Sequence, residues 1–580
     1  MFKHVFPALR ANQVISGACA FIMVGACAVF GSPAQGQAIN GLAIRVLQAG
    51  DSGTTQVAVD FGRAKSAEVP QEISLKSIPL AGGGTGDFDL TKFDVFTANA
   101  ELTVTDSDDT THPLKAPNMA FYRGTMKTDP NQTACLAVEN GTNVKLFVLN
   151  KNGESSVIDK AAPSKQRNAP AGYFLRQLKK PQMPLDCKEL AIPGDQTDYS
   201  KLELQGAKDR MKESAIQINQ ARSKSKKKKN KNQMVRLPVI QMMIDVDYEG
   251  FQYSFHSDTA EAATYMATIL AIDSSIYQRD IGAAVMINRF NIWTTQDLIT
   301  SVPKEVALTR DLIMENWQKY VKSTRPGYVY DAAFFSTGFN FGGLGYLSGL
   351  CTSDYRFMMG GTLNYNDGFF STYTYDINLV AHELGHLCGS THTHCFNPPI
   401  DCCFDEEGCS YCTQIVPQPG TIMSYCDQIL LYFHPRCIDV MKAFLKKAPC
   451  LDTFVELPPP DNSAPDFQGT LGKIKISGQS GNFTISGQLA VQNTGETVAG
   501  KGIQVVFYIS QDGILSQDDQ ALQSVFLKKD LKGKKGQKVK FKVTSSAVTA
   551  SGLYVIAWIN PGGEAGELNT SNNTVFAPLN

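Results

Sequence analysis

Half of the histidines in this 580-residue chain, four of eight, lie in one segment, HELGHLCGSTHTHC at 382–395. Positions four apart share one face of a helix, so the imidazoles of His382 and His386 should project from the same side. Gly389 follows three residues later, where a residue that can take a positive φ lets the chain leave a helix sharply. His392 should therefore approach the same point from the returning segment.

Three neutral imidazoles that converge give a zinc ion three protein ligands and leave an open position for water. Glu383, next to the first of these ligands, is placed to take a proton from that water. The pair of histidines in HExxH arises often by chance and can be two surface residues of a helix. The extended spacing HExxHxxGxxH requires five fixed residues, and GTIMSYC (420–426) follows as an independent feature. The pattern therefore predicts a zinc site that activates water.

These residues resemble the metzincin zinc-peptidase signature, with GTIMSY corresponding to its Met-turn. Over 235–451 the chain is most similar to the reprolysin (adamalysin-like) branch, particularly its bacterial secreted members. Supporting stretches are YQRDIG (277–282), GLGYLSGLC (343–351) and FHPRCIDVMKAFLKKAPC (433–450), the last resembling the closing helix of that family. The resemblance implies a twisted mixed sheet plus helices above a cleft, and a smaller lower part. It also implies a substrate-aligning edge strand near 343–349, where a peptide could add as an extra strand.

The chain departs from the family pattern around the third histidine. Many reprolysins have an aspartate directly after it, where this chain has Thr393. His394 lies outside the pattern, and we favour a loop side chain beside Cys395 over a further ligand. Tyr425 matches the tyrosine that astacins and serralysins use near zinc, so it could bind the metal, donate to the oxyanion or simply pack. Met423 is expected to pack beneath the metal and not to bind it.

The N-terminus has the layout of a secretory signal. Lys3 and Arg10 precede an uncharged apolar run at 14–30, and GSPAQGQA follows with a plausible cut after Ala38. An uncleaved anchor at the cell surface is the alternative, but the run is close to the lower limit of ~17 residues for a spanning helix. We expect a secreted protein without stable membrane insertion. The formal net charge of -1 gives no reason to expect a nucleic-acid partner.

Ten of the 14 cysteines lie within one hundred positions, and a dense, even cluster in an exported chain indicates disulfides. CSYC (409–412) could be half of a second zinc site, but no matching CxxC exists. The reprolysin resemblance implies a Cys351–Cys450 bridge, which ties the strand before the active helix to the closing helix. The other eight are then expected to pair among themselves and to stiffen the loop at 395–437. These eight are Cys388, Cys395, Cys402, Cys403, Cys409, Cys412, Cys426 and Cys437.

Residues 39–221 contain alternating apolar segments with turn residues between them, which predicts a β-rich domain. The stretch 121–154 is similar to the reprolysin propeptide, in which a cysteine can cap the zinc until the propeptide is removed. Cys187, in a loop-like segment, is the better capping candidate, because Cys135 lies inside a predicted strand. A Cys135–Cys187 disulfide is the alternative. The lysine-rich run at 222–234 is typical of an exposed, cleavable activation linker.

The predicted elements after that linker are a strand at 239–248, a helix at 256–280 and a further strand, which is typical of a mixed α/β layer. We assign this catalytic domain to 235–451, with a Pro-rich linker at 452–464. The last segment, 465–580, holds short strand-like runs with turn signals between them. This β-sandwich pattern resembles the immunoglobulin-like CARDB module. Its ligand could lie on a cell surface or in a matrix.

The sequence therefore predicts a multidomain, secreted zinc endopeptidase, made as a zymogen, with a signal peptide at 1–38. It would hydrolyse peptide bonds in protein or peptide substrates with Glu383 as general base. Zn²⁺ is the expected cofactor; calcium could assist, but no EF-hand loop indicates it. The alternative is a surface adhesion or binding protein that uses an inactive metzincin scaffold. Inactive relatives usually lose the glutamate or a ligand, and this chain keeps them all.

Overall fold

The computed structural model describes residues 39–579 apart from several loops. The longest stretches outside the described residues are 161–171, 179–186, 211–234, 365–372, 458–464 and 546–552. The predicted signal peptide (1–38) and activation linker (222–234) therefore lie outside the described part of the chain. Among the described residues, none of the helices combines the length and the apolar character needed to span a bilayer.

The N-terminal region forms a closed barrel of nine strands. The third and fourth of its strands alternate buried and exposed residues, as Ile73 and Leu75 show, because successive side chains point to opposite faces. The buried residues fill the barrel with its own apolar core. The strands are β1 (Ile39–Ala49), β2 (Thr54–Arg63), β3 (Glu72–Pro79), β4 (Thr85–Phe93), β7 (Met119–Thr125), β8 (Gln132–Glu139), β9 (Asn143–Asn150), β10 (Ser155–Lys160) and β11 (Tyr173–Leu178).

A mixed sheet with helices follows the barrel, as the order of predicted elements indicated. Its first strand reads VIQMMIDV and is almost wholly buried, because a parallel strand between helices is covered on both faces. The strands of this part are β13 (Val235–Val246), β14 (Ala284–Trp293), β15 (Ala332–Thr337), β16 (Gly343–Tyr346) and β17 (Phe357–Gly361), with the two-residue β18 (Pro419–Gly420) and β19 (Gln428–Ile429). The helices are α1 (199–210), α2 (Thr259–Asp280), α3 (Arg310–Thr324), α4 (Tyr373–Leu387) and α5 (Pro435–Leu445).

The N-terminal region also supplies strands to both edges of this central sheet, which the sequence did not predict. At one edge β5 (Phe96–Thr105) pairs with β14 in parallel and continues into the short β6 (Thr111–Pro113). At the other edge β12 (Cys187–Leu190) pairs in parallel with β16. The prediction that Cys187 lies in a loop is wrong, because the free hydrogen-bonding edge of β16 orders this segment as a strand. β20 (Phe454–Leu457) adds to β13.

Helix α4 is buried along its whole length. The hydroxyl of Tyr277 in α2 donates to the carbonyl of Ala381 in α4 at 2.9 Å, which fixes the two helices against each other. Phe147 of the barrel packs edge-on against Tyr373 at the start of α4, with ring centroids 5.0 Å apart. The barrel therefore contacts the same helix that carries the first two histidines.

The predicted Cys351–Cys450 disulfide is present. Six of the other clustered cysteines also pair, as Cys395–Cys409, Cys402–Cys412 and Cys403–Cys426. The prediction that all eight pair is wrong for Cys388 and Cys437, which are free. Both side chains are completely buried in the core, where a thiol packs as a small apolar group.

The alternative Cys135–Cys187 disulfide is also wrong, since both thiols are free and buried. Cys135 lies on β8 in the barrel, paired with Phe147 of β9 and Arg123 of β7. Cys187 begins β12 at the far edge of the central sheet. The two cysteines therefore belong to different sheets.

The C-terminal region consists of two four-stranded antiparallel sheets that share one apolar core. The short strand-like runs predicted within 465–580 are present as strands of these two sheets. The first sheet contains β21 (Phe467–Leu471), β22 (Lys475–Gln479), β23 (Asn482–Asn493) and β26 (Gly536–Ser545). The second contains β24 (Gln504–Ser510), β25 (Gln520–Phe526), β27 (Leu553–Ile559) and β28 (Thr574–Leu579).

Removing the Cys351–Cys450 bridge, by changing both residues to alanine, should lower the urea midpoint of the tryptophan fluorescence transition. The bridge spans 99 residues of sequence, and the chain-entropy model assigns about 4–5 kcal/mol to such a loop. The same change at Cys402 and Cys412, 10 residues apart, serves as control and should cost about 2–3 kcal/mol. An unchanged midpoint for the first variant would contradict a structural role for the long bridge.

Candidate metal centre

Three histidines meet at one point beneath the central sheet. Nε2 of His386 lies 3.0 Å from Nε2 of His382 and 3.1 Å from Nε2 of His392. All three side chains are completely buried. Gly389 has a φ of 93°, and this left-handed conformation ends α4 and turns the chain back toward the first two rings. The structure thus brings together the trio that the HExxHxxGxxH spacing predicts.

The hydrogen bonds of the trio show that its members suit a cation. Each ring donates its Nδ1 proton to an oxygen: His382 to the Ile422 carbonyl at 2.6 Å, His386 to the Ser390 carbonyl at 2.9 Å, and His392 to the Glu406 carboxylate at 2.7 Å. The lone pairs of the three Nε2 atoms then face one another, which is unfavourable unless a cation lies between them. The separations suit a tetrahedral zinc ion bound at about 2.0–2.1 Å. Burial and the neighbouring imidazoles also hold the pKa of His382 well below its usual range, which favours its neutral form.

Glu383 lies beside the trio, and strand β16 leaves room for it. The carboxylate is completely buried, and burial raises the pKa of Glu383 to about 7. A Cβ atom at Gly345 would lie 2.8 Å from one carboxylate oxygen, and a Cβ at Gly343 would overlap the other. Two glycines of GLGY are therefore required for the glutamate to reach this position.

The geometry agrees with the comparison to known families. Residues 237–433 match Reprolysin_5, a model of metallo-peptidase family M12. This segment is a metallopeptidase domain of family M12. The protein is accordingly a zinc metalloendopeptidase, and the family supports zinc as the ion for the three histidines.

Solved structures similar to parts of the metallopeptidase share little sequence with it. A CARDB domain from Pyrococcus furiosus is 18% identical and covers 20% of this chain and 84% of its own, with a TM-score of 0.15. Metalloproteinase-II from Bacteroides fragilis is 11% identical over 55% of this chain and 81% of its own, with a TM-score of 0.25. OgpA from Akkermansia muciniphila, solved with an O-glycopeptide, is 10% identical and covers 60% of this chain and 93% of its own, with a TM-score of 0.19. A search of curated proteins finds no match.

The Met-turn packs directly against α4 through Met423, the residue predicted to lie beneath the metal. A Cβ atom at Gly385 would lie 2.6 Å from the sulfur of Met423, so the glycine inside HELGH permits this contact. Thr393, where many reprolysins have aspartate, donates through its backbone to the Met423 carbonyl at 3.0 Å and lies 3.0 Å from the Ser424 hydroxyl. Ser424 in turn donates to Asp401 at 2.7 Å. A carboxylate, that of Asp401, therefore supports the Met-turn of this metallopeptidase through Ser424.

Tyr425 lies against the trio but does not point at it. Its ring centroid is 4.4 Å from that of His392, and it stacks on His382 at 5.9 Å with an interplanar angle of 16°. Its hydroxyl donates to the backbone carbonyl of Cys187 on β12. Burial raises the pKa of Tyr425, so the hydroxyl stays protonated and acts as a donor.

Glu406 is a site residue that sequence reasoning missed. Its Oε2 accepts from His392 at 2.7 Å and lies 2.8 Å from Nε2 of His394. His394 lies outside the trio, in the short turn beside Cys395; it is buried, and its ring stacks on that of His392 with centroids 5.3 Å apart. The Cys395–Cys409 bridge returns the chain close to His394 and brings this carboxylate into place.

Changing Glu406 to glutamine should weaken zinc binding about 10–100-fold, because a carboxylate that orients a ligating imidazole strengthens the metal–ligand bond. Zinc affinity is measured on the full chain by competition with a chelator of known affinity. Asp405→Asn is the matched control, since Asp405 is the exposed neighbour in the same loop and its change removes the same charge. Equal affinities for the two variants would show that Glu406 does not support His392.

Proposed function

We propose that the protein is a secreted endopeptidase made as a zymogen, in which residues 39–221 are an inhibitory propeptide and 235–451 the catalytic domain. Three Nε2 lone pairs directed at one point, with the Glu383 carboxylate beside them, are the observation that carries this proposal. We assign 465–580 to an immunoglobulin-like CARDB module.

His382, His386 and His392 would hold the zinc ion, which when bound acidifies water and polarises a peptide carbonyl. Glu383 takes the proton from the attacking water and delivers it to the leaving amine, as a general base and then a general acid. Its burial excludes bulk water from this transfer. The intact set of Glu383 and three histidines disfavours the alternative of an inactive binding scaffold.

Tyr425 fits the role of an oxyanion donor. Its hydroxyl already donates to a backbone carbonyl, that of Cys187, next to the histidine trio. A substrate carbonyl that replaced this group would receive the same hydrogen bond, and such a donor stabilises the negative charge that develops on oxygen. In the uncleaved precursor, the backbone of the proposed propeptide would thus occupy the position of a substrate peptide.

The position of β12 supports latency. It pairs with β16, the strand that the family resemblance assigns to substrate alignment, over Gly343 to Tyr346. The Cys187 sulfur, a nitrogen of His382 and a carboxylate oxygen of Glu383 lie within 4.8 Å of one another. Pro-segment residues therefore fill the place of a peptide substrate, and Cys187 is poised to cap the metal until cleavage in the basic linker releases it.

Glu383→Gln should keep its zinc but lose about 10² or more in kcat/KM, because the change removes only the proton acceptor. Bound zinc is measured by elemental analysis, and activity is measured on a quenched peptide library with the linker-cleaved protein. The exposed control Asp405→Asn should retain full activity. A glutamine variant as active as the wild type would exclude Glu383 as the base.

Cys187→Ala should make the uncleaved chain partly active, because the thiol beside His382 is lost. Cys135→Ala is the matched control, being a free, buried cysteine of the N-terminal barrel. Activity is followed on a peptide before linker cleavage.

N-terminal sequencing of the secreted protein then locates the start of the mature chain, which we expect between residues 224 and 240. A fully active wild-type chain beginning near Ile39 would contradict the zymogen.

A further inference from the structure

The C-terminal region carries a concentrated positive charge that the composition of the whole chain does not predict. The chain has a formal net charge of -1, yet residues 465–580 contain eleven lysines, no arginine and eight acidic residues, a net charge of +3. Seven exposed lysines fall within 528–542. The acidic residue within that stretch is Asp530.

Strand β26 arranges part of this charge on one face of a sheet. Its Lys538, Lys540 and Lys542 are exposed, while the alternating Phe541 and Val543 are buried in the core of the domain. Successive lysines on such a strand are about 6.8 Å apart, twice the rise per residue. The apolar partners fix the register, so all three ammonium groups must point outward.

The same face continues across two neighbouring strands. In β23, Gln488 lies opposite Lys540 and Ser486 lies opposite Lys542. Ser486 is paired on its other side with the exposed Lys475 of β22. Cross-strand partners share one face of a sheet, so Lys475 lies on the same face as Lys542. The two residues are about two strand spacings apart, roughly 9.6 Å. We refer to Lys475, Lys538, Lys540 and Lys542 as the lysine face.

The side chains between the lysines are neutral and polar. Hydroxyl and amide groups are offered by Thr484, Ser486, Gln488 and Thr544, and the small apolar side chain of Ala490 lies beside them. The described residues of this face include no carboxylate, aromatic ring or large apolar side chain. The matching ligand is extended, with repeated negative charges that alternate with hydrogen-bonding hydroxyl groups.

The lysine face suits nucleic acid and membranes less well. Single-stranded nucleic acid is bound by stacking aromatic rings and base edges are read by the fork of arginine, and the face has neither. Insertion into a membrane needs apolar side chains, which the face also lacks. Lysines on an edge strand can also block pairing with other chains, and both β26 and β22 are edge strands of this sheet. That role predicts no binding to a polyanion, so the experiment below separates the two.

We infer that the lysine face binds an anionic polysaccharide with carboxylate or sulfate groups. Lysine ammonium groups act as point charges without a fixed fork, which suits a flexible polymer better than a single oriented phosphate. Binding is independent of the metal centre, and it would hold the peptidase on polymer-rich surfaces. A site of this kind sets where the enzyme acts and leaves its chemistry unchanged.

The test measures binding of the full chain to immobilised polygalacturonate over a range of salt concentrations. The variant Lys538→Gln, Lys540→Gln, Lys542→Gln should bind about 100-fold more weakly and with a shallower salt dependence, because each lysine near an anionic surface contributes about fivefold. Lys475→Gln alone should cost about fivefold. Neutral dextran should not bind. Unchanged hydrolysis of a short peptide and an unchanged melting temperature would show that the variants are folded.

The matched control is Lys319→Gln, Lys322→Gln, Lys447→Gln, which removes three exposed lysines outside the C-terminal region. It should bind polygalacturonate as the wild type does. An equal loss in this control would overturn the inference, since net charge alone would then account for binding. No binding by the wild type, or tighter binding to duplex DNA or to phosphatidylglycerol vesicles than to polygalacturonate, would also overturn it.

Discussion

The mutual repulsion of three imidazole lone pairs is the constraint on which the catalytic region depends. Each ring must be held by its Nδ1 hydrogen bond, and the three acceptors belong to the Met-turn, the turn after α4 and the disulfide-linked loop. Glycines make this arrangement possible: Gly385 admits the Met423 sulfur from below, while Gly343 and Gly345 admit the Glu383 carboxylate from above. The helix is thus fixed between two close contacts, and its buried length leaves it no other position.

Local pattern was enough to predict the trio, the helix that carries two of its members, and the glycine that ends that helix. These features depend on spacing within a dozen residues, where helical geometry decides which side chains meet. The Cys351–Cys450 bridge was predicted by family resemblance alone. Glu406 could not be predicted, since no spacing rule ties a carboxylate to a histidine 14 positions away, and a disulfide brings the two together.

Pairing between strands that are distant in sequence could not be predicted from local sequence patterns either. The sequence places β5 in an N-terminal β-rich domain and the start of β12 in a loop-like segment, yet both strands complete a sheet whose other strands lie far away in sequence. Burial decided the state of Cys388 and Cys437 in the same way, because each thiol lies within the core and neither is bonded to another sulfur. The alternation of apolar and polar residues and the composition each describe a single chain segment, and not which distant segments come together.

The pairing of β5 with β14 has a consequence for biosynthesis. β14 would otherwise end the central sheet with a row of unsatisfied amide and carbonyl groups, which recruits strands from other molecules. The N-terminal region is synthesised first and is therefore available as a template when β14 emerges. We therefore expect it to assist folding of the sheet: the peptidase domain produced by itself would expose the unpaired edge of β14 and aggregate more readily than the full chain.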